Sequence, residues 1–164
     1  MDLIIIFSAE YLGYILLAVF LIWFWKNRSA GWQQLFVPLI SALVSRFVFT
    51  ELIRFLYYRP RPFVSGNISA LIEPIQSASF PSGHAAFFFA LSAGIYSFNK
   101  KTGLWFFTGS LVIGLARVFA GVHYFSDIIG GVIVGLLSYW LVGELFKKII
   151  LSFKKKQGQI SVLP

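Results

Sequence analysis

Five apolar runs, at about Leu3 to Trp25, Gln34 to Tyr57, Pro81 to Phe98, Leu104 to Ala120 and Ser126 to Phe146, occupy most of the 164 residues. Each is long enough, or nearly so, to cross about 30 Å of hydrocarbon at roughly 1.5 Å per helical residue. A water-soluble chain carries about a quarter charged residues, whereas here 12% are charged and 58% hydrophobic. Lipid is therefore the solvent for most of the sequence, and in lipid a backbone must satisfy its own hydrogen bonds. The expected fold is all-α: a polytopic bundle of about five transmembrane helices forming one integral-membrane domain over residues 1–164, with a basic tail from about 147 to 164. The apolar content excludes disorder and a collagen-like fibre. The lack of cysteine excludes disulfides, thiolate metal sites and a cysteine nucleophile.

A net charge of +8 could suggest nucleic acid as a partner, but the cations sit in short clusters between apolar runs. Lys26 and Arg28, Lys100 and Lys101, and Lys147, Lys148 and Lys154 to Lys156 make nine. Short loops rich in Lys and Arg stay in the cytoplasm, which puts these clusters inside and, with five spans, the N-terminus outside. The start at Met1-Asp2 has neither a basic segment nor a small-residue cleavage site, so the first run is expected to be a span and not a signal peptide. Trp23, Trp25, Trp32 and Trp105 fall at the predicted inner ends, where an aromatic belt belongs. Small residues four apart (Ala86, Ala90 and Gly94; Ser110 and Gly114; Gly131 and Gly135) should let the last three helices pack closely.

The outer segments, Tyr58 to Phe80 and Gly121 to Phe125, should be poor in cations by the same rule. Yet Arg54, Arg59, Arg61 and Arg117 lie in or beside them, with both histidines of the chain, His84 and His123. Guanidinium forks pair bidentately with phosphate or carboxylate oxygens, so this face is expected to meet an anion.

Three elements carry possible chemistry. Arg54-Phe-Leu-Tyr-Tyr-Arg-Pro-Arg61-Pro62 closes the second run. Arg54 and Arg61 are about two helical turns apart, although the prolines should end the helix before Arg61. The bland reading is snorkelling cations at a span end. Pro81-Ser82-Gly83-His84 opens the third run: proline suits a first turn, serine a cap, and glycine a close backbone approach. Helix N-termini are ready anion sites. Finally Ala116-Arg117, His123 and Ser126-Asp127 precede or begin the fifth run. Asp127 could be a first-turn acid on the helix dipole with Ser126 as cap; equally, a carboxylate four residues after an imidazole can hold one tautomer and stabilise its cation.

Together these elements resemble the type 2 phosphatidic acid phosphatase family, whose pattern reads Lys or Arg, six residues, Arg-Pro; Pro-Ser-Gly-His; and Ser-Arg, five residues, His, three residues, Asp. The resemblance spans about Arg54 to Asp127, with Arg at 54 where Lys is usual and Ala at 116 where Ser is usual. Losing that serine hydroxyl is expected to weaken phosphate binding. Many members have six spans where five are read here. The resemblance implies a metal-independent, cofactor-free phosphatase in which His123 attacks phosphorus, Asp127 orients it and His84 protonates the leaving oxygen. Arg54, Arg61, Arg117, Ser82 and the Gly83 backbone would hold the phosphoryl oxygens, with Arg59 left for a second phosphate. The Arg-Pro-Arg-Pro-Phe stretch looks most like undecaprenyl pyrophosphate phosphatases, which implies a lipid pyrophosphate substrate at the outer face of a bacterial plasma membrane. Phosphatidylglycerophosphate and phosphatidic acid are the alternative substrates.

Two non-enzymatic readings compete. A haem carrier ligated by His84 and His123 leaves the arginines unexplained. An anion transporter usually shows internal repeats or broken helices near the midplane, and neither is expected from this sequence. Within the spans, Glu10, Arg46 and Glu51 are costly and expected to pair; a structural pairing of the carboxylates with Arg46 or Arg54 is preferred over a proton path. Ile68, Leu71, Ile72 and Ile75 have the spacing of one helix face, consistent either with a short extracytoplasmic helix beside the site or with an apolar loop packed on the bundle.

Overall fold

The computed structural model describes residues 2–28, 31, 33–66, 69–73 and 77–160. Every regular element among them is helical: α1 (Asp2–Glu10), α2 (Leu12–Lys26), α3 (Gln33–Val44), a π-helical segment (Ser45–Phe49), α4 (Thr50–Leu56), α5 (Pro62–Ser65), α6 (Gly83–Phe98), α7 (Lys100–Phe119) and α8 (Phe125–Ile160). Among the described residues three helices are long and apolar enough to cross a membrane: Phe36–Leu56, built of α3, the π segment and α4; Lys100–Phe119; and Phe125–Phe153. The first apolar run forms α1 and α2, bent by 45° about Tyr11, and makes a fourth if the pair is one span. The remaining run is α6, apolar but only 16 residues long.

Burial explains why α6 can be short. It is the central helix, with Ala85, Ala86 and every residue from Phe88 to Ile95 buried, and it packs with Phe20, Ala42, Phe106 and Ile113 from the surrounding helices. The outer helices instead present large apolar side chains, such as Phe55, Trp105 and Phe119, outward, which is stable only against lipid.

The small-residue pattern does the packing it predicts. A Cβ on Gly131 would lie 2.6 Å from the Ala85 Cβ, and one on Gly135 would lie 2.6 Å from the Ala86 carbonyl oxygen, so α8 crosses α6 backbone to backbone. Ser92 and Ser110 hydrogen-bond at 3.0 Å between α6 and α7.

Two expectations are revised. α8 does not stop near Phe146 but continues as helix through the basic stretch to Ile160, since lysines are good helix formers. In the long loop between α4 and α6 the short helix is α5, at Pro62–Ser65. Leu71 and Ile72 lie in a bend, where Ile72 packs against Ala9, Ala116 and Val122 and the Leu71 N–H donates to the Ala120 carbonyl. That is the packed-loop alternative; Ile68, Pro74 and Ile75, like Trp32, lie outside the described residues.

Candidate active site

The three sequence elements meet at one end of the bundle. α4 ends at Leu56 and the chain is extended by Tyr57 and at Arg61, so Arg54 and Arg61 do not share a helix face. α6 begins there, and α7 turns into α8 through Gly121, whose φ of +73° is one that side-chain-bearing residues rarely adopt.

Asp127 organises that turn. It is fully buried, and its Oδ2 accepts from the Tyr124 N–H at 2.8 Å, the Ser79 hydroxyl and, at 3.3 Å, Nδ1 of His123. Oδ1 accepts from Arg59 Nη1 at 2.9 Å. Reaching back from the first turn to the residue before the helix is half of a capping box, and the same carboxylate lies against the His123 ring. Ser126 is not the cap; its hydroxyl accepts from Arg59.

With Nδ1 facing the carboxylate, the His123 proton belongs on Nδ1 and the Nε2 lone pair is free. His123 is 2% exposed. Burial lowers its pKa to about 4, opposed by the Asp127 hydrogen bond and assisted by the charges of Arg61 and Arg117, so the ring is neutral near pH 7.

Ser82 caps α6, its hydroxyl accepting from the Ala85 N–H at 3.5 Å, while its own N–H donates to the Asp127 carbonyl at 2.9 Å. The starts of α6 and α8 are thereby tied together, and the first N–H groups of α6, at Gly83 and His84, have no intrahelical acceptor. Pro81 precedes the cap and is not in the first turn as expected.

The arginines are fixed by backbone carbonyls. Arg61 donates from Nε and Nη2 to Ser77 (3.0 Å to the carbonyl, 2.9 Å to the hydroxyl) and from Nη1 to the Val122 carbonyl at 3.1 Å, clamping the loop between α4 and α6 to the residue beside His123. Burial and the neighbouring charge of Arg54 lower its pKa; with five N–H donors, it keeps two to offer. Arg54 donates to the Pro81 carbonyl at 3.0 Å and to Glu51 at 3.3 Å. Arg117 donates to the Ala9 carbonyl, beside the bend between α1 and α2, at 3.0 Å and lies 3.4 Å from His84 Nε2. The Nε groups of both Arg54 and Arg117 are buried without a partner among the described residues. Unpaired buried guanidinium donors are costly, and an anion bound within their reach would satisfy them.

Of the expected site residues, His123, His84, Asp127, Arg54, Arg61, Arg117, Ser82 and Gly83 gather at this end of the bundle. Arg59, expected to meet a second phosphate, donates from Nη1 to Asp127 and Ser126 and lies 4.1 Å over the Tyr124 ring. Ala116 is packed with Ala9, Ala120 and Val122 in an apolar cluster, so a hydroxyl there would enter that cluster. The expected pairing of in-span charges holds for Glu51, which bridges Arg46 and Arg54. Ser77 and Ser79 were not legible as site residues; no motif marks them, and only the loop's path brings them to Arg61 and Asp127.

A buried histidine with a carboxylate behind it, a second histidine, and arginines with unsatisfied donors, all at one end of a lipid-facing helix bundle, define a membrane lipid phosphatase. The chain belongs to the PAP2 superfamily, whose sequence model matches residues 35–150. It is 31% identical over 147 residues to the bacitracin transport permease protein BcrC of Bacillus licheniformis, covering 87% of this chain and 72% of that protein. To the undecaprenyl-diphosphatase BcrC of Bacillus subtilis it is 30% identical over 148 residues, covering 89% and 73%. Among solved structures it resembles Aquifex aeolicus LpxE with a TM-score of 0.72 and 26% identity, covering 87% of this chain and 85% of that one.

Proposed function

We propose that the enzyme hydrolyses a polyprenyl diphosphate, undecaprenyl diphosphate, to the monophosphate, through a phosphohistidine on His123. The observation that carries this is the pair of buried, unpartnered guanidinium Nε groups of Arg54 and Arg117 beside a neutral imidazole. The likeness to an undecaprenyl-diphosphatase over most of the chain supports the choice of lipid.

His123 Nε2 attacks the terminal phosphorus as the bond to the bridging oxygen breaks. The electron pair stays on that oxygen, and His84, protonated beside the bound anion, supplies its proton. Arg54, Arg117, the remaining donors of Arg61, the Ser82 hydroxyl and the N–H groups opening α6 surround the equatorial oxygens, where preorganised donors act most strongly. Asp127 balances the cation on the phosphorylated ring. A water that gives its proton to His84 then attacks phosphorus; the P–N electrons return to His123, orthophosphate leaves, and both histidines are restored.

The site faces the outer side of a bacterial plasma membrane. It lies at the end of α6 and α7 opposite the turn bearing Lys100 and Lys101, and short Lys-rich turns stay in the cytoplasm. A lipid whose tail remains in the bilayer can present its head there, whereas a cytoplasmic soluble ester cannot.

The test is a substrate panel with purified protein in detergent and excess EDTA. Higher kcat/KM on polyprenyl diphosphate than on phosphatidic acid or phosphatidylglycerophosphate is expected. Phosphate ligands here are guanidinium, hydroxyl and N–H donors, and the one motif acid, Asp127, already accepts four hydrogen bonds. Preference for a monoester lipid refutes the substrate, and activity lost in EDTA and restored by Mg²⁺ refutes the metal-independent chemistry.

A further inference from the structure

We propose that Arg46 holds the second phosphate of the diphosphate substrate, the one that departs with the lipid; this rests on the diphosphatase reading above. In-line displacement places the leaving oxygen opposite His123 Nε2, on the side of its acid, His84. Arg59 lies on the other side, behind Asp127. A cation beside His84 would meet the leaving phosphate there.

Beside His84 lies a cavity of about 200 Å³, and Arg46 lines it together with Gly83 and His84. Among the described residues lining it, Arg46 is the only lysine or arginine. A guanidinium within a membrane span is expensive and marks function by default, and this one is delivered by the π-helical segment Ser45–Phe49. Such wide turns interrupt α-helices most often at functional sites.

Gly83 shows how closely the two elements were brought together. A Cβ there would lie 2.7 Å from both Cδ and Nε of Arg46, so any larger residue would displace the guanidinium from the start of α6. Glu51 bridges Arg46 and Arg54 and so sets their spacing, one arginine for each phosphate. Glu10, which lines the same cavity, offers an acceptor for the P–OH that the leaving phosphate carries once His84 has protonated it. The apolar lining, Phe87 and Phe88 with Leu17, suits the first carbons of a prenyl chain.

The test compares kcat/KM on farnesyl diphosphate and farnesyl monophosphate, which share a tail and differ only in the second phosphate. For Arg46→Gln the diphosphate-to-monophosphate ratio should fall about 10- to 100-fold, the range of one charge-assisted hydrogen bond. Arg46→Lys, which keeps the charge but loses the fork, should retain more of the ratio. Equal losses on the two substrates, or an Arg46→Lys ratio no better than that of Arg46→Gln, overturn the assignment while leaving the diphosphatase reading intact. Wild-type protein that hydrolyses the monophosphate but not the diphosphate overturns both. As a check that does not require diphosphate turnover, methylenediphosphonate should inhibit monophosphate hydrolysis more tightly than orthophosphate in wild type, with that margin lost in Arg46→Gln; a retained margin overturns the assignment.

Discussion

Replacing Asp127 by asparagine isolates what the buried carboxylate does, because the amide has the same shape and keeps an oxygen for the Tyr124 N–H and Ser79 hydroxyl. What disappears is the negative charge 3.3 Å from His123 Nδ1. In the resting enzyme that charge faces a neutral ring and gains little; once Nε2 bonds to phosphorus the ring becomes cationic and the pair becomes an ion pair. Two unit charges about 3.3 Å apart at an effective dielectric near 20 interact by about 5 kcal/mol. At roughly 1.4 kcal/mol per decade, that corresponds to a fall of about 10³- to 10⁴-fold in the phosphorylation rate. With the amide oxygen kept where Tyr124, Ser79 and His123 converge, the amide nitrogen faces Arg59, itself a donor, which adds to the loss. The assay is phosphate release from polyprenyl diphosphate by purified Asp127→Asn, with monodispersity and thermal unfolding showing that the fold survives. A kcat within about tenfold of wild type, in protein that unfolds at the wild-type temperature, refutes the stabilisation of a histidine cation by Asp127.

His84→Ala should be severe on an alkyl phosphate and milder on an aryl phosphate, since protonation matters most when the departing oxygen is basic; equal losses on the two would remove His84 from that role. The chain has two histidines, so ¹⁵N-histidine labelling in a His84→Gln background leaves His123 to titrate alone, with an expected midpoint near 4 instead of 6.5. Because the unfolded chain takes up that proton first, His123 contributes stability that is intact above about 6.5, lost as pH falls, and gone below about 4. Thermal unfolding against pH checks the sign. Ala116→Ser, expected from family resemblance to improve phosphate binding, should instead lower thermal stability by about 1 kcal/mol or more, because its hydroxyl enters an apolar cluster; tighter orthophosphate inhibition with unchanged stability would contradict that packing.

Amino-acid order alone determined the solvent and the helical class, and it marked the residues that meet at the candidate site. Lipid leaves a backbone no other way to satisfy its hydrogen bonds over runs this apolar, and the short segments Pro81 to His84 and His123 to Asp127 carry their geometry locally. A histidine and an aspartate four apart at a helix start meet whatever the rest of the chain does, and Ser82 caps α6 through its own next turn. The glycine and alanine spacings likewise foretold that α6 and α8 would touch, because small residues on one helix face are what permit it. Tertiary structure decided the matters that depend on residues distant in sequence. Arg59 and Arg46 are both arginines near motif positions, and only the fold directs the first behind Asp127 and the second over Gly83 into the cavity of His84. Ala116 occupies a motif position where a hydroxyl is usual, yet packing against Ala9 and Val122 determines what a hydroxyl would meet there. The Arg117 bond to the Ala9 carbonyl beside the bend at Tyr11 is a long-range contact, which no local pattern encodes.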